Sequence, residues 1–181
     1  MDVEHLLDLP REDGGYYLFL GRLVPYKRAD LAVAACARLG RRIKVVGGGR
    51  GEAGLAAAAG PGAEFLPRLD DSTLPGVLAG ARALLFPGEE DFGIVLVEAQ
   101  AAGVPVIAYG RGGARDSVKD GVTGVLYDDP GVEGLCAAIE RFETLSFDDG
   151  ELRRGAAAFA PERFRSEMAD LLTAVGSEVR E

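Results

Sequence analysis

The chain has 181 residues, 48% hydrophobic and 27% charged, with a formal net charge of −9. That composition suits one globular domain, and the acidic balance argues against nucleic acid as a partner, because phosphate backbones draw basic faces. No apolar run approaches the roughly 20 residues that span a bilayer, and Met1–Pro10 lacks a signal-peptide core, so a cytoplasmic protein is expected, with room for peripheral membrane association.

Residues 1–15 read as a loose, linker-like segment and 16–181 as one domain. The only histidine, His5, lies in that first segment. No metal-ligand set is therefore expected, and no Ser-His-Asp or Cys-His site unless His5 itself serves. Tyr16–Leu20 predicts a buried strand ending at Gly21, and Lys27–Leu39 a helix with an apolar face. A second strand, Ile43–Val46, runs into Gly47-Gly48-Gly49 and an alanine-rich helix. Ala63–Leu66 is the third strand, Leu74–Ala81 a helix, Ala83–Phe86 the fourth strand and Ile94–Ala102 the next helix. Val104–Ala108 predicts a fifth strand leading to Gly110, Gly112, Gly113 and a helix start at Ala114. Gly124–Tyr127 is the sixth strand. Helices follow over Val132–Thr144, about Glu151–Ala160 and Glu162–Val175, with Val175–Glu181 as a frayed tail. Cys36 and Cys136 fall in apolar helical patterns and read as buried thiols.

Strands alternating with helices predict βαβ units, an α/β fold with a parallel sheet covered on both faces. The strands are continuous apolar runs, as doubly buried strands should be. Ligands of such folds sit beyond the carboxyl ends of the strands. Four loops there carry the chemistry.

Gly21-Arg22-Leu23-Val24-Pro25-Tyr26-Lys27 leaves the first strand for a helix whose first turn holds Lys27 and Arg28, a place the macrodipole makes unfavourable for cations. With backbone N–H groups, Arg22 and Lys27 make a diphosphate site; either alone reads as a solvated cation. Gly47-Gly48-Gly49-Arg50-Gly51 either lets a ligand approach the backbone or merely turns the chain. Pro87 to Ala99 places Glu89, Glu90 and Asp91 before an apolar helix whose first N–H groups, Ile94 to Leu96, are free donors. Glu89 and Asp91 are plausible caps. Glu98 lies inside that apolar helix, and burying it without donors costs several kcal/mol. Ribose hydroxyls are natural donors to it. Gly110-Arg111-Gly112-Gly113 reads equally as a phosphate cradle or a structural turn.

Together these residues resemble the glycosyltransferase group 1 family, retaining enzymes of the GT-B fold, from about Tyr16 to Val175. The two glutamates with Phe92-Gly93 between them, the Gly21-Arg22-Leu23 to Lys27 spacing, the glycine turn and Asp120-Gly121-Val122-Thr123-Gly124 carry the resemblance. Val24 to Asp30 and Phe86 to Gly93 look most like the mannosyltransferase subgroup of polysaccharide biosynthesis.

The resemblance implies a Rossmann-like, doubly wound sheet of about six strands with C-terminal helices, one half of a GT-B fold. It implies that residues 16–181 bind a nucleotide sugar as substrate, with no cofactor and no metal. Arg22 and Lys27 would hold the diphosphate near Gly21, Gly47 and Gly48, and Glu98 the ribose. Glu90 would contact the transferred sugar, with Phe92, Gly93, Ile94 and Val95 beside it. Glu90, Arg22 and Lys27 would be the catalytic group. Leu69 and Asp71 occupy the base-contacting turn. An Asp there accepts from guanine N–H groups, which favours GDP-mannose.

Family members carry a second, acceptor-binding domain ahead of this one, so the chain is expected to be a fragment or a half-enzyme with little transfer alone. A rival expectation is a nucleotide-sugar-binding module completed by a partner chain or a homodimer. A nicotinamide dehydrogenase fits worse, because the full Gly-x-Gly-x-x-Gly fingerprint and the acidic ribose residue are absent.

Overall fold

The computed structural model describes residues 3–178. Six strands form one sheet: β1 Tyr16–Leu20, β2 Ile43–Val46, β3 Ala63–Leu66, β4 Ala81–Phe86, β5 Val106–Tyr109 and β6 Gly124–Tyr127. Their order is β3-β2-β1-β4-β5-β6, and all five pairings are parallel. This is the dinucleotide-fold order, with its reversal between β1 and β4.

Nine helices are present among the described residues: α1 Glu4–Leu7, α2 Ala29–Leu39, α3 Glu52–Ala58, α4 Leu74–Ala79, α5 Ile94–Ala101, α6 Ala114–Ser117, α7 Val132–Phe142, α8 Asp149–Ala157 and α9 Pro161–Glu178. Successive strand residues point to opposite faces, so each apolar run feeds two cores. Tyr17, Phe19, Ile43, Val45, Leu85 and Ile107 pack with α2 and α7 on one face. Leu18, Val46, Leu84, Phe86, Val106 and Ala108 pack with α5 and its neighbours on the other. No described helix is long and apolar enough to cross a membrane.

Several element ends differ from expectation. Helix α2 does not begin at Lys27. Pro25–Lys27 forms a 3-10 turn, and Arg28 then takes a left-handed conformation, φ 54°, before α2 starts at Ala29. Lys27 and Arg28 therefore stand ahead of the helix, and Arg28 is tied to Asp30 at 3.1 Å. Helix α4 stops at Ala79, because Ala81 already pairs with Tyr16 in the sheet. Strand β5 starts at Val106, after Pro105, which has no N–H to give the ladder. Helix α8 starts at Asp149, capped by the Asp148 side chain, which accepts from Glu151 N–H at 2.8 Å. Helix α9 runs on through Glu178, beyond the expected fraying point at Val175, and residues 179–181 lie outside the described residues.

Part of the segment expected to be loose is docked. Val3 and Leu6 are buried in the same core cluster as Leu96, Val97 and Ala101. At the other end, α9 holds Phe164, Leu171 and Leu172 more than half exposed.

Candidate functional site

The first loop after β1 is fixed by glycine contacts. An ideal Cβ on Gly47, whose φ is +132°, would sit 2.0 Å from the Gly21 carbonyl oxygen. Leu23 N–H donates to the Gly48 carbonyl at 3.0 Å, and a Cβ on Gly49 would meet Leu23 O at 2.5 Å. The two loops leaving β1 and β2 thus touch backbone to backbone, and only glycine permits it.

The second buttress is further along. Gly112 and Gly113 press on the acidic loop from behind: their Cβ atoms would lie 2.2 Å from Glu90 O and 2.4 Å from Phe92 Cα. Gly113 N–H also donates to Glu90 O at 2.9 Å. The Gly110–Gly113 turn is therefore structural and lines neither of the clefts below. Asp120 is structural as well, accepting from Arg141 at 2.9 and 2.8 Å and from Leu126 N–H at 2.9 Å.

Two clefts open at the carboxyl ends of β1 and β4. The larger, about 730 Å³, is lined by Gly21, Lys27, Glu90, Phe92, Gly93, Ile94, Val95 and Glu98, together with Leu20, Tyr26, Leu74, Glu89 and Asp91. The smaller, about 430 Å³, is lined by Gly21, Arg22, Gly47, Gly48, Leu69 and Asp71, together with Leu20, Val46, Arg68 and Leu74. They share Leu20, Gly21 and Leu74. Every residue that the family resemblance assigned to the donor site lines one or the other, whereas Gly49-Arg50-Gly51 and the Gly110–Gly113 turn line neither. A hollow of about 840 Å³ between α5, α8 and α9 meets them only at Phe92 and Ile94.

Helix α5 aims its N-terminus into the larger cleft. Gly93 precedes it with φ +75°, a conformation that costs glycine little. Three free N–H groups were expected, but Leu96 N–H is taken by Gly93 O at 2.9 Å. Among the described residues, those of Ile94 and Val95 have no hydrogen-bond partner. Two aligned amides at the positive end of a helix favour an anion.

The charged groups fall into three sets. Lys27 Nζ lies 2.5 Å from Glu90 Oε1. Arg22 is exposed and donates to Tyr26 Oη at 3.3 Å. Glu98 is half buried and has no hydrogen bond from any described residue. Burial pushes its carboxyl above the usual value near 4.5, and His5 on α1 offsets this in part.

A carboxyl raised in the folded state holds its proton there longer than in the unfolded chain. Stability of the empty domain then falls as pH rises from the unfolded value through the folded one. Glu98→Gln should therefore stabilise the empty domain at neutral pH and confer no such gain at a pH of about 4. Denaturant unfolding at both pH values checks this; a variant less stable than wild type at neutral pH contradicts it.

Sequence reasoning missed Arg68, a lone cation in the turn after β3 that lines the smaller cleft beside Asp71. Its neighbour Asp70 is structural. The Ser72 hydroxyl and the Thr73 and Ser72 N–H groups hold its carboxyl down at about 2.

The comparisons with known proteins bear on the family and the fold. The family model for glycosyl transferases group 1 matches residues 8–163. The D-inositol 3-phosphate glycosyltransferase of Geodermatophilus obscurus is 36% identical over 193 residues, covering 93% of this chain and 42% of its own. The chain thus spans well under half the length of that relative. Sucrose-phosphate synthase from Thermosynechococcus elongatus superposes with a TM-score of 0.75 at 27% identity, over 98% of this chain and 49% of that one. Anabaena Alr3699/HepE in complex with UDP-glucose shares the fold, with a TM-score of 0.72 at 23% identity over 88% of this chain and 49% of that one.

Proposed function

Since the chain belongs to the glycosyl transferases group 1 family, we propose that the joined clefts hold a nucleoside-diphosphate hexose and that this is the donor-binding half of a retaining hexosyltransferase needing no metal or cofactor. The observation that carries this is Glu98, a half-buried carboxylate without a donor among the described residues, sharing a cleft with Lys27 and the open end of α5. A ribose diol supplies two donors to such a group, and the following diphosphate reaches Lys27 and the Ile94 and Val95 amides.

In transfer, charge builds on the departing diphosphate. Lys27, Arg22 and the α5 amides would stabilise it, with little proton chemistry asked of this chain. Glu90 would orient the sugar through its hydroxyls. The curated relative is more than twice as long as this chain; for this chain by itself we expect donor binding with little transfer.

For the base there are two readings. Asp71 accepts from guanine N–H groups, which supports GDP-mannose and a mannosyltransferase. Arg68 beside it is a donor suited to base carbonyl oxygens. That favours a uridine nucleotide, the class named with the HepE structure.

Thermal unfolding with GDP, UDP, ADP and NAD, all at one common concentration about a hundred times the dissociation constant of the tightest binder, separates these. The cognate nucleotide should add about 2.7 kcal/mol, roughly 5–10 °C in midpoint for a domain this size. A shift with GDP alone supports the mannosyl reading, and one with UDP alone the uridine reading. Absence of a shift with every nucleoside diphosphate would sink the donor site and leave the module completed by a partner or a second copy. The exposed apolar residues of α9 are the observation on the side of that alternative.

A further inference from the structure

The larger cleft is unevenly charged. Glu89, Glu90, Asp91 and Glu98 line it, and Lys27 is the one cation among its described lining residues. That cation is already engaged: Lys27 and Glu90 pair at 2.5 Å with their side chains only 16% and 21% exposed. The lysine stem crosses Gly21, where an ideal Cβ would lie 3.3 Å from Lys27 Cδ and 3.6 Å from its Nζ. Among the described residues, the Glu90 carboxylate has no other hydrogen-bond or ion-pair partner.

Resting on the donor-binding reading above, we infer that Glu90 competes with the diphosphate for Lys27, which makes the site prefer a diphosphate still carrying its sugar over the bare nucleotide. A diphosphate entering this cleft meets four carboxylates and must take Lys27 to be tolerated. Doing so strips Glu90 of its partner and leaves a partly buried charge that needs new donors. Hexose hydroxyls are such donors, and a bare nucleoside diphosphate brings none to that position. The exchange of partners is complete only for the intact donor. Once the sugar has gone, Glu90 regains Lys27 and helps to expel the nucleotide. No bond is made or broken in this exchange.

The test is calorimetric titration of the full chain with GDP, UDP, GDP-mannose and UDP-glucose, on wild type, Glu90→Gln and Asp91→Asn. Wild type should favour the cognate sugar nucleotide over its bare diphosphate. In Glu90→Gln the bare diphosphate should bind about threefold to tenfold tighter, the worth of a charge-assisted pair between partly exposed groups. The sugar nucleotide should gain nothing, so the ratio of the two dissociation constants falls. Asp91→Asn removes the same charge one residue away and should leave that ratio unchanged. Glu90→Gln shifting both ligands equally, or leaving the ratio as in wild type, overturns the inference while the donor site stands. Failure of both wild type and Glu90→Gln to bind any of the four ligands removes the donor site, and this inference with it.

Discussion

Lys27→Met should weaken nucleoside-diphosphate binding about 30- to 100-fold with little loss of fold stability. A hydrogen-bonded charge pair is worth about 1.5–3 kcal/mol, and 1.4 kcal/mol is tenfold in affinity. Lys27 earns the upper end of that range because no other cation lines the larger cleft among the described residues. Stability should move by less than about 1 kcal/mol, since in the empty cleft water can reach the partly exposed Glu90, whereas a diphosphate seated beside it would exclude that water. Arg22→Ala is the contrast. Arg22 is exposed and its one hydrogen bond is to Tyr26 Oη. Its loss should cost about threefold to tenfold, as for a solvent-screened charge. Titration of GDP and UDP against both variants decides it. Wild-type affinity in Lys27→Met would show that the diphosphate lies elsewhere.

That Lys27 stood out in the sequence at all followed from a misplacement. It was expected in the first turn of a helix, where a cation is unfavourable, and the mismatch suggested a ligand. In the structure it ends a 3-10 turn set by Pro25, ahead of α2, and the helix dipole is not what makes it unusual. What makes it unusual is the partly buried pair with Glu90, a contact across 63 positions that no local pattern reveals. The strands were legible because each is an apolar run between polar or glycine-rich turns, and parallel strands covered on both faces demand that. The ends were less so. Residues 4–7 make only one helical turn, and nothing local marks Val3 and Leu6 as buried against α5.

Glu98 could be read from sequence alone, because a carboxylate amid Ile, Val, Leu and Ala has few physical excuses. Arg68 could not, since a lone cation in a polar turn resembles any solvated side chain. The acids of the turn after β3 show the same limit. Asp70 and Asp71 are adjacent and identical in type, yet Asp70 caps Ser72 and Thr73 while Asp71 lines the cleft. Only the backbone geometry tells them apart.

The glycines were ambiguous for a related reason: a Gly run signals a close approach without saying whose. Here the approach is protein to protein, which gives the second large prediction. Gly47→Ala should destabilise the domain by more than about 3 kcal/mol, through backbone strain and overlap together. Its Cβ would fall 2.0 Å from Gly21 O, a backbone carbonyl that cannot rotate away as a side chain could. Relief requires the ends of β1 and β2 to part, and Gly21 lines both clefts, so nucleotide affinity should fall with stability. Gly54→Ala is the matched control. It lies inside α3 with nothing within 4 Å of its Cβ position, and should stabilise by about 0.5–1 kcal/mol through helix propensity. Denaturant unfolding of the two variants, with nucleotide titration of each, reads both effects. Equal stabilities would mean that the β1 and β2 loops can separate freely, and the rigid backbone contact under the proposed donor site would be refuted.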